Sequence, residues 1–253
     1  MKVTFLGTGT SQGVPVISCS CEVCKSADLR DNRLRCSILI ESNNKHILID
    51  TGPDFRQQML RAQVTKLDAV LYTHEHKDHI AGLDDIRAFN FFQKKHMDLY
   101  LTDHVEKAIR REFAYIFAND NYPGIPLVNL HHIKNAPFNL FGQQIIPIEV
   151  SHYKMPVLGY RFEDFCYVTD AKSITSEELE KMKRSKIIVL NALRKESHPS
   201  HFTLDEAVEI LEYLKPEQAF LTHISHQMGL HKEVEADLPA FIKIAYDGLT
   251  IDV

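Results

Sequence analysis

Short apolar runs recur along the chain, set off by turn-forming residues. Runs at residues 2–6, 37–40 and 46–49 have the length and residue types of strands, the last ending in Asp50-Thr51-Gly52. Residues 69–72 form an unbroken apolar run, as expected of a strand buried on both faces. Residues 98–101 predict another strand. A second series begins near His132 and continues at 144–150, 157–162 and 165–169. Further strands are expected at 186–190, 219–222 and 249–253. Apolar spacing of three and four predicts helices at 55–62, 83–89, 105–117, 176–183 and 203–214, with a last one before the terminal strand. Thr175 or Ser176 is positioned to cap one of them, and Thr203 and Glu206 have the spacing of a capping box.

Strands in two series, each followed by helices, suggest an α/β fold of two sheets packed face to face with helices outside. One doubly wound parallel sheet is the alternative, and the frequency of short strands favours the sandwich. The 253 residues suit one large α/β domain or two small ones, and no repeat or obvious linker divides them. The reading is a single domain over 1–253.

Composition narrows the class. Hydrophobic residues make up 44% and charged residues 25%, as in ordinary globular proteins. The net charge of −5 provides no general field for polyanions, although a local basic patch is compatible with it. No apolar run approaches the roughly 18 residues that span a bilayer. The first residues run straight into a strand pattern and are too short for a signal peptide, so a cytoplasmic, membrane-free protein is expected. Of five cysteines, three crowd together as Cys19-Ser20-Cys21-Glu22-Val23-Cys24. In a reducing compartment such a cluster holds metal more often than disulfides. Cys36 and Cys166 lie in apolar stretches and read as small buried hydrophobes.

The chemistry concentrates in Thr73-His74-Glu75-His76-Lys77-Asp78-His79. Imidazole suits zinc, iron or manganese, and a carboxylate adds a hard oxygen ligand. On extended backbone His74 and His76 point the same way and can share one ion, while Asp78 and His79 follow on a turn and can reach a second. Other predicted strand ends supply His152, Asp170 and His223. Singly, each would be an ordinary packed, surface or turn residue. Beside the histidine run they become candidate ligands, because two ions need more groups than four side chains provide. Ligands gathered on one sheet edge match where α/β folds place their sites.

The histidine run, with His152, Asp170 and His223, resembles the metallo-β-lactamase superfamily over almost the whole chain. The resemblance implies a four-layer αββα sandwich. It implies one divalent ion on His74, His76 and His152, another on Asp78, His79 and His223, and Asp170 between them. Within the superfamily, Gly7-x-Gly9-Thr10-Ser11-x-Gly13-Val14-Pro15, the cysteine cluster and Thr222-His223-Ile224-Ser225-His226-Gln227 resemble the phosphoribosyl cyclic phosphate phosphodiesterases of the carbon–phosphorus lyase pathway. That likeness implies a structural zinc on Cys19, Cys21, Cys24 and His226, in a loop insertion near 13–36. The C-x-C-x2-C spacing suits a Cys3His site in its own right. The likeness also gives His201 a catalytic role at the phosphate, as in ribonuclease Z-like enzymes, either donating a proton to the leaving oxygen or stabilising phosphoryl charge. His198 lies nearby in a poorer sequence context.

The implied reaction is hydrolysis of a small cyclic or nucleotide-like phosphodiester. Two ions about 3.5–4 Å apart would turn a bridging water into the nucleophile, with Asp78 orienting it. A ribonuclease Z-like tRNA 3′-processing nuclease is the alternative, and a non-phosphate hydrolase of the same superfamily a further one. Only 30 residues separate Asp170 from His201, where the nuclease usually carries its tRNA-grasping arm. The acidic net charge also favours a small substrate over nucleic acid. Zinc, manganese and iron all fit the active-site donors. Relatives of this kind are often homodimers. The aromatic-rich segment 89–122, with Phe91, Phe92, Phe113, Tyr115, Phe117 and Tyr122, reads mainly as helix packing, with a substrate wall or dimer contact as alternatives.

Overall fold

A computed structural model describes residues 1–118 and 123–253, so Tyr122 lies outside the described residues. The first sheet runs in the order β15-β1-β2-β3-β4-β5-β6. Its strands are β1 (Lys2–Gly7), β2 (Ser37–Ser42), β3 (Lys45–Ile49), β4 (Ala69–Leu71), β5 (Met97–Leu101), β6 (Val128–His132) and β15 (Thr250–Asp252). The second sheet runs β11-β8-β9-β10-β12-β13-β14, with β7 (Phe138–Leu140) paired to β8. It is built from β8 (Gln143–His152), β9 (Met155–Phe162), β10 (Phe165–Tyr167), β11 (Ser173–Ile174), β12 (Ile187–Asn191), β13 (Gln218–Thr222) and β14 (Ile242–Ile244).

Alternation explains the layers. Along β2, Ile38 and Ile40 face the other sheet while Leu39 faces outward, and Ile47 and Ile49 divide from Leu48 in the same way along β3. In the second sheet Val189 and Phe220 point inward while Ile188, Leu190 and Leu221 point outward. Both faces of these strands are therefore buried, which is why they read as continuous apolar runs rather than alternating ones. The outer face of the first sheet packs against α1 (Phe55–Arg61), α3 (Arg87–Gln93) and α4 (Asp103–Glu112) through Phe55, Met59, Phe89 and Val105. The outer face of the second packs against α5 (Ser176–Met182), α6 (Leu204–Leu214) and α7 (His231–Ala236) through Met182, Leu211 and Val234. The result is an αββα sandwich. Each fully buried aliphatic or aromatic side chain in these layers contributes about 1.5–3 kcal/mol, so the loops at the strand ends stand on a rigid base.

Several elements depart from the sequence reading. The strand near His132 pairs parallel with β5 and closes the first sheet rather than opening the second series. The helix expected over 105–117 begins at Asp103, capped by the Thr102 hydroxyl, and stops at Glu112. A separate short turn covers Ala114–Phe117. The helix expected over 83–89 is a turn at Leu83–Ile86 followed by α3. Strand β10 ends at Tyr167, two residues early, because the chain turns away to present Asp170. Thr175 caps α5, and Thr203 and Glu206 form a complete capping box on α6. In the aromatic segment Phe89 is core and Phe113 and Phe117 pack against it, but Phe91, Phe92 and Tyr115 are exposed. Among the described residues, no helix is long and apolar enough to cross a membrane.

Candidate metal centre and active site

The candidate ligands meet at the carboxyl ends of strands from both sheets. Beyond β4 the chain passes through Tyr72 and Thr73 to His74 and His76, then forms α2 (Lys77–Ile80), which carries Asp78 and His79. His152 is the last residue of β8, Asp170 lies three residues past β10, and His223 directly follows β13. The Leu158 N–H of the second sheet donates to the Thr73 carbonyl at 3.1 Å, tying the histidine run to the opposite layer.

Asp170 is central. Its Oδ2 lies 3.3 Å from His79 Nε2 and 3.2 Å from His223 Nδ1, and its Oδ1 lies 3.9 Å from His201 Nδ1. Asp78 Oδ2 is 3.2 Å from His79 Nε2. Donor atoms of Asp78, His79, Asp170 and His223 all fall within 4.8 Å of one another, as do those of His152, Asp170 and His201. The remaining histidines close the other side, with ring centroids 4.7 Å apart for His74 and His76 and 5.1 Å for His76 and His152. The His201 ring stacks on His223 at 4.7 Å and meets His152 edge-on at 4.6 Å.

Residues that the spacing did not single out hold this array. Asp50 is fully buried and its Oδ2 lies 2.7 Å from His79 Nδ1. The same carboxylate accepts from the Thr73 N–H and hydroxyl, each at 2.8 Å, and the Thr73 hydroxyl lies 2.9 Å from His74 Nδ1. Hydrogen-bonding one ring nitrogen in this way turns the other toward the centre, as second partners of metal-bound histidines do. The Ser200 carbonyl lies 2.8 Å from His152 Nδ1 and does the same there. Asp50, Asp170 and His223 all have left-handed backbone, with φ of 64°, 58° and 58°. Such strain persists where surrounding structure over-determines it, and it clusters at functional sites. Asp50-Thr51-Gly52 was visible only as a strand end, and no spacing rule connects it to residues more than twenty positions away.

Electrostatics follow from burial and crowding. Burial pushes the His74 and His76 imidazoles below their ordinary range, reinforced by neighbouring imidazoles. Burial likewise lowers His201, with His223 adding to it, and lowers His223 against the pull of Asp170. Burial also opposes charge on His79, but Asp78, Asp170 and Asp50 together outweigh it and raise that ring well above the usual value. Asp78 and Asp170 lie below the carboxylate range because nearby imidazoles, His79 and His223 foremost, overcome the cost of burying them.

A second cluster sits beside the first. Cys19, Cys21 and Cys24 place their sulfurs 3.3, 3.4 and 3.6 Å from His226 Nδ1. The Val16 N–H donates to Cys24 Sγ, and the Cys24 N–H to Cys21 Sγ. That backbone donor, with His226, brings the Cys21 thiol down to about 6, whereas burial raises Cys24 to about 11. His226 follows His223 by three residues, and between them Ile224 bridges to Gly9. One short segment therefore serves both clusters.

The donors fit divalent ions. Among the described residues, His74 Nε2, His79 Nε2, His201 Nδ1 and His223 Nδ1 are buried without an aligned hydrogen bond, although carboxylate oxygens stand 3.2–3.3 Å from His79 Nε2 and His223 Nδ1. A buried unpaired polar atom costs about 1–3 kcal/mol, so several converging on one point mark a place prepared for a cation. An αββα sandwich that opens its strand ends onto such donors is the architecture of metal-dependent hydrolases. The chain belongs to the beta-lactamase superfamily: the family described as Beta-lactamase superfamily domain matches residues 45–224. An octanoyltransferase of Porphyromonas gingivalis is 40% identical over 252 residues, which is 98% of this chain and 51% of that protein. The chain spans about half the length of the curated relatives it matches. A crystal structure described as a new diphosphatase from the PhnP family is 42% identical with a TM-score of 0.93, covering 100% of this chain and 97% of the other. Zinc-bound PqqB from Methylobacterium extorquens shares the fold at 18% identity and a TM-score of 0.82, with 100% of both chains covered.

Proposed function

We propose that the protein is a dinuclear metal-dependent phosphodiesterase acting on a small phosphate diester. The observation that carries this reading is Asp170, shared between two groups of donors, with His201 beside it. His74, His76 and His152 would hold one ion, Asp78, His79 and His223 the other, with Asp170 reaching both. Zinc, manganese and iron remain the candidates for these positions. Bound there, the ions would supply Lewis acidity and lower the pKa of water toward neutrality. Asp78 faces His79 through Oδ2, and its carboxylate would orient the attacking water. The buried His201 ring points a nitrogen toward Asp170 in the centre, where an N–H would donate to phosphoryl oxygen, or, with the ring protonated, would pass its proton to the leaving oxygen and leave neutral imidazole. Asp50 and the Ser200 carbonyl keep His79 and His152 in the required orientation. Cys19, Cys21, Cys24 and His226 would hold a structural zinc in tetrahedral thiolate–imidazole ligation.

The relative described as a diphosphatase supports hydrolytic cleavage of a phosphorus–oxygen bond on this fold. Octanoyl transfer is the activity named for a protein about twice this length, and it is not carried over. The test is turnover of bis(p-nitrophenyl) phosphate, 2′,3′-cyclic nucleotides and pre-tRNA by protein loaded with one defined metal at a time. The expected result is hydrolysis of the small diesters. Cleavage of pre-tRNA alone would defeat the reading. His201→Ala is expected to lower diester turnover about 10²–10⁴-fold with active-site metal content unchanged. Loss of metal would instead make His201 a ligand.

A further inference from the structure

An open cleft of about 790 Å³ lies against His76 and His152, large enough for a small organic ligand. Its walls include Glu75, His104, Tyr153, Lys154, Pro156 and Pro199. Tyr153 and Lys154 form the two-residue turn between β8 and β9, since His152 pairs with Met155. Tyr153 has φ of 56° and is 65% exposed, and the Lys154 Nζ lies 5.4 Å from its ring centroid. Of the two turn residues only the first has positive φ, the position where such hairpins favour glycine. Folding therefore gives no reason for tyrosine there. The side chain is exposed, its backbone is strained, and it stands one residue from His152.

We infer that Tyr153 is a specificity-determining residue that stacks a single nucleoside unit of the substrate. A flat ring system suits the open face of the phenol, because stacking on an aromatic side chain tolerates any base. Pro156 and Pro199 offer apolar wall. Glu75 and His104 supply hydrogen-bonding groups suited to sugar hydroxyls, and the Lys154 ammonium places a cation where an anionic diester enters. The inference rests on the phosphodiesterase reading and adds the substrate class to it.

Two esters with the same leaving group separate the questions: thymidine 5′-phosphate p-nitrophenyl ester and methyl p-nitrophenyl phosphate. The metal-loaded wild type is expected to prefer the thymidine ester in kcat/KM. Tyr153→Gly is expected to cut that preference about tenfold through KM for the thymidine ester, while its Tm stays at or above that of the wild type because the turn is relieved. Tyr153→Phe is expected to keep the preference, and Tyr153→Leu, which retains the strained turn, to lose it. An unchanged preference in both Tyr153→Gly and Tyr153→Leu, or an equal loss on both esters, would overturn the assignment. Failure of the wild type to cleave either ester would overturn the phosphodiesterase reading, and this inference with it.

Discussion

Asp50 shows how a single residue can govern a centre it does not enter. Its carboxylate is fully buried and receives the Thr73 N–H, the Thr73 hydroxyl and the His79 ring. Asp50→Asn keeps the shape but removes the charge that fixes the His79 ring. The expected outcome is a 10–100-fold loss of metal affinity or of kcat/KM, measured by metal titration and by kinetics at saturating metal. Wild-type values in both would show that His79 is held by other contacts. Cys21 makes a separate prediction because its thiol is set low, ready to ligate near neutral pH. Cys21→Ala is expected to remove one equivalent of zinc per chain and lower Tm, with the active-site ions retained. Unchanged zinc stoichiometry would refute a structural zinc held by this cluster. The ligand types themselves were legible in sequence, because H-x-H-x-D-H and C-x-C-x2-C are local spacings. Asp50, Thr73 and the Ser200 carbonyl were not, since their roles depend on partners brought near by folding.

Between residue and molecule, the short element α2 places Asp78 and His79, and it rests on the turn after β3. The Thr51 N–H donates to the His79 carbonyl and the Gly82 N–H to the Thr51 carbonyl, both at 2.8 Å. A Cβ on Gly52 would stand 2.3 Å from the Asp78 carbonyl oxygen, too close to exist without movement of that backbone. Gly52→Ala is therefore expected to displace the helix that carries two proposed ligands, lowering activity at least tenfold and weakening metal binding. Isothermal titration with the chosen metal, beside kinetics, would detect both, and a fully active variant would show that the displacement does not reach the ligands. Strands and capped helices were readable where one signal dominates, as in Thr203 with Glu206. The 105–117 helix misled because its apolar spacing continues past Phe113, where the backbone leaves helical geometry. The strand at 128–132 misled because sheet membership depends on pairing with β5, which no local pattern encodes.

For the molecule as a whole, burial of ionisable groups makes stability depend on pH. His231 is fully packed. Burial, then the Arg33 guanidinium whose Nη2 lies 3.1 Å from Nδ1, holds its ring at about 4. The unfolded chain takes up this proton near pH 6.5, so the contribution is complete above that value and is lost as pH falls toward 4. Unfolding free energy by urea denaturation is expected to decline across that window, by up to about 1.4 kcal/mol per pH unit for this one group. His231→Gln is expected to flatten the slope, and an unchanged slope would mean that His231 titrates normally. The Arg33–His231 contact joins segments 198 positions apart, as do the contacts that build the metal centre at somewhat shorter range. By itself the sequence determined the donor types, their place at strand ends and the two-series pattern of a sandwich, because residue spacing dictates which side chains share a face. Only the tertiary structure decided the distances at which His74, His152, Asp170, His201 and His223 meet, that Asp50 holds the His79 ring and that Tyr153 lines the cleft beside them. Convergence of distant strand ends depends on how two twisted sheets pack together, and that information is spread over the whole core rather than written in any one segment.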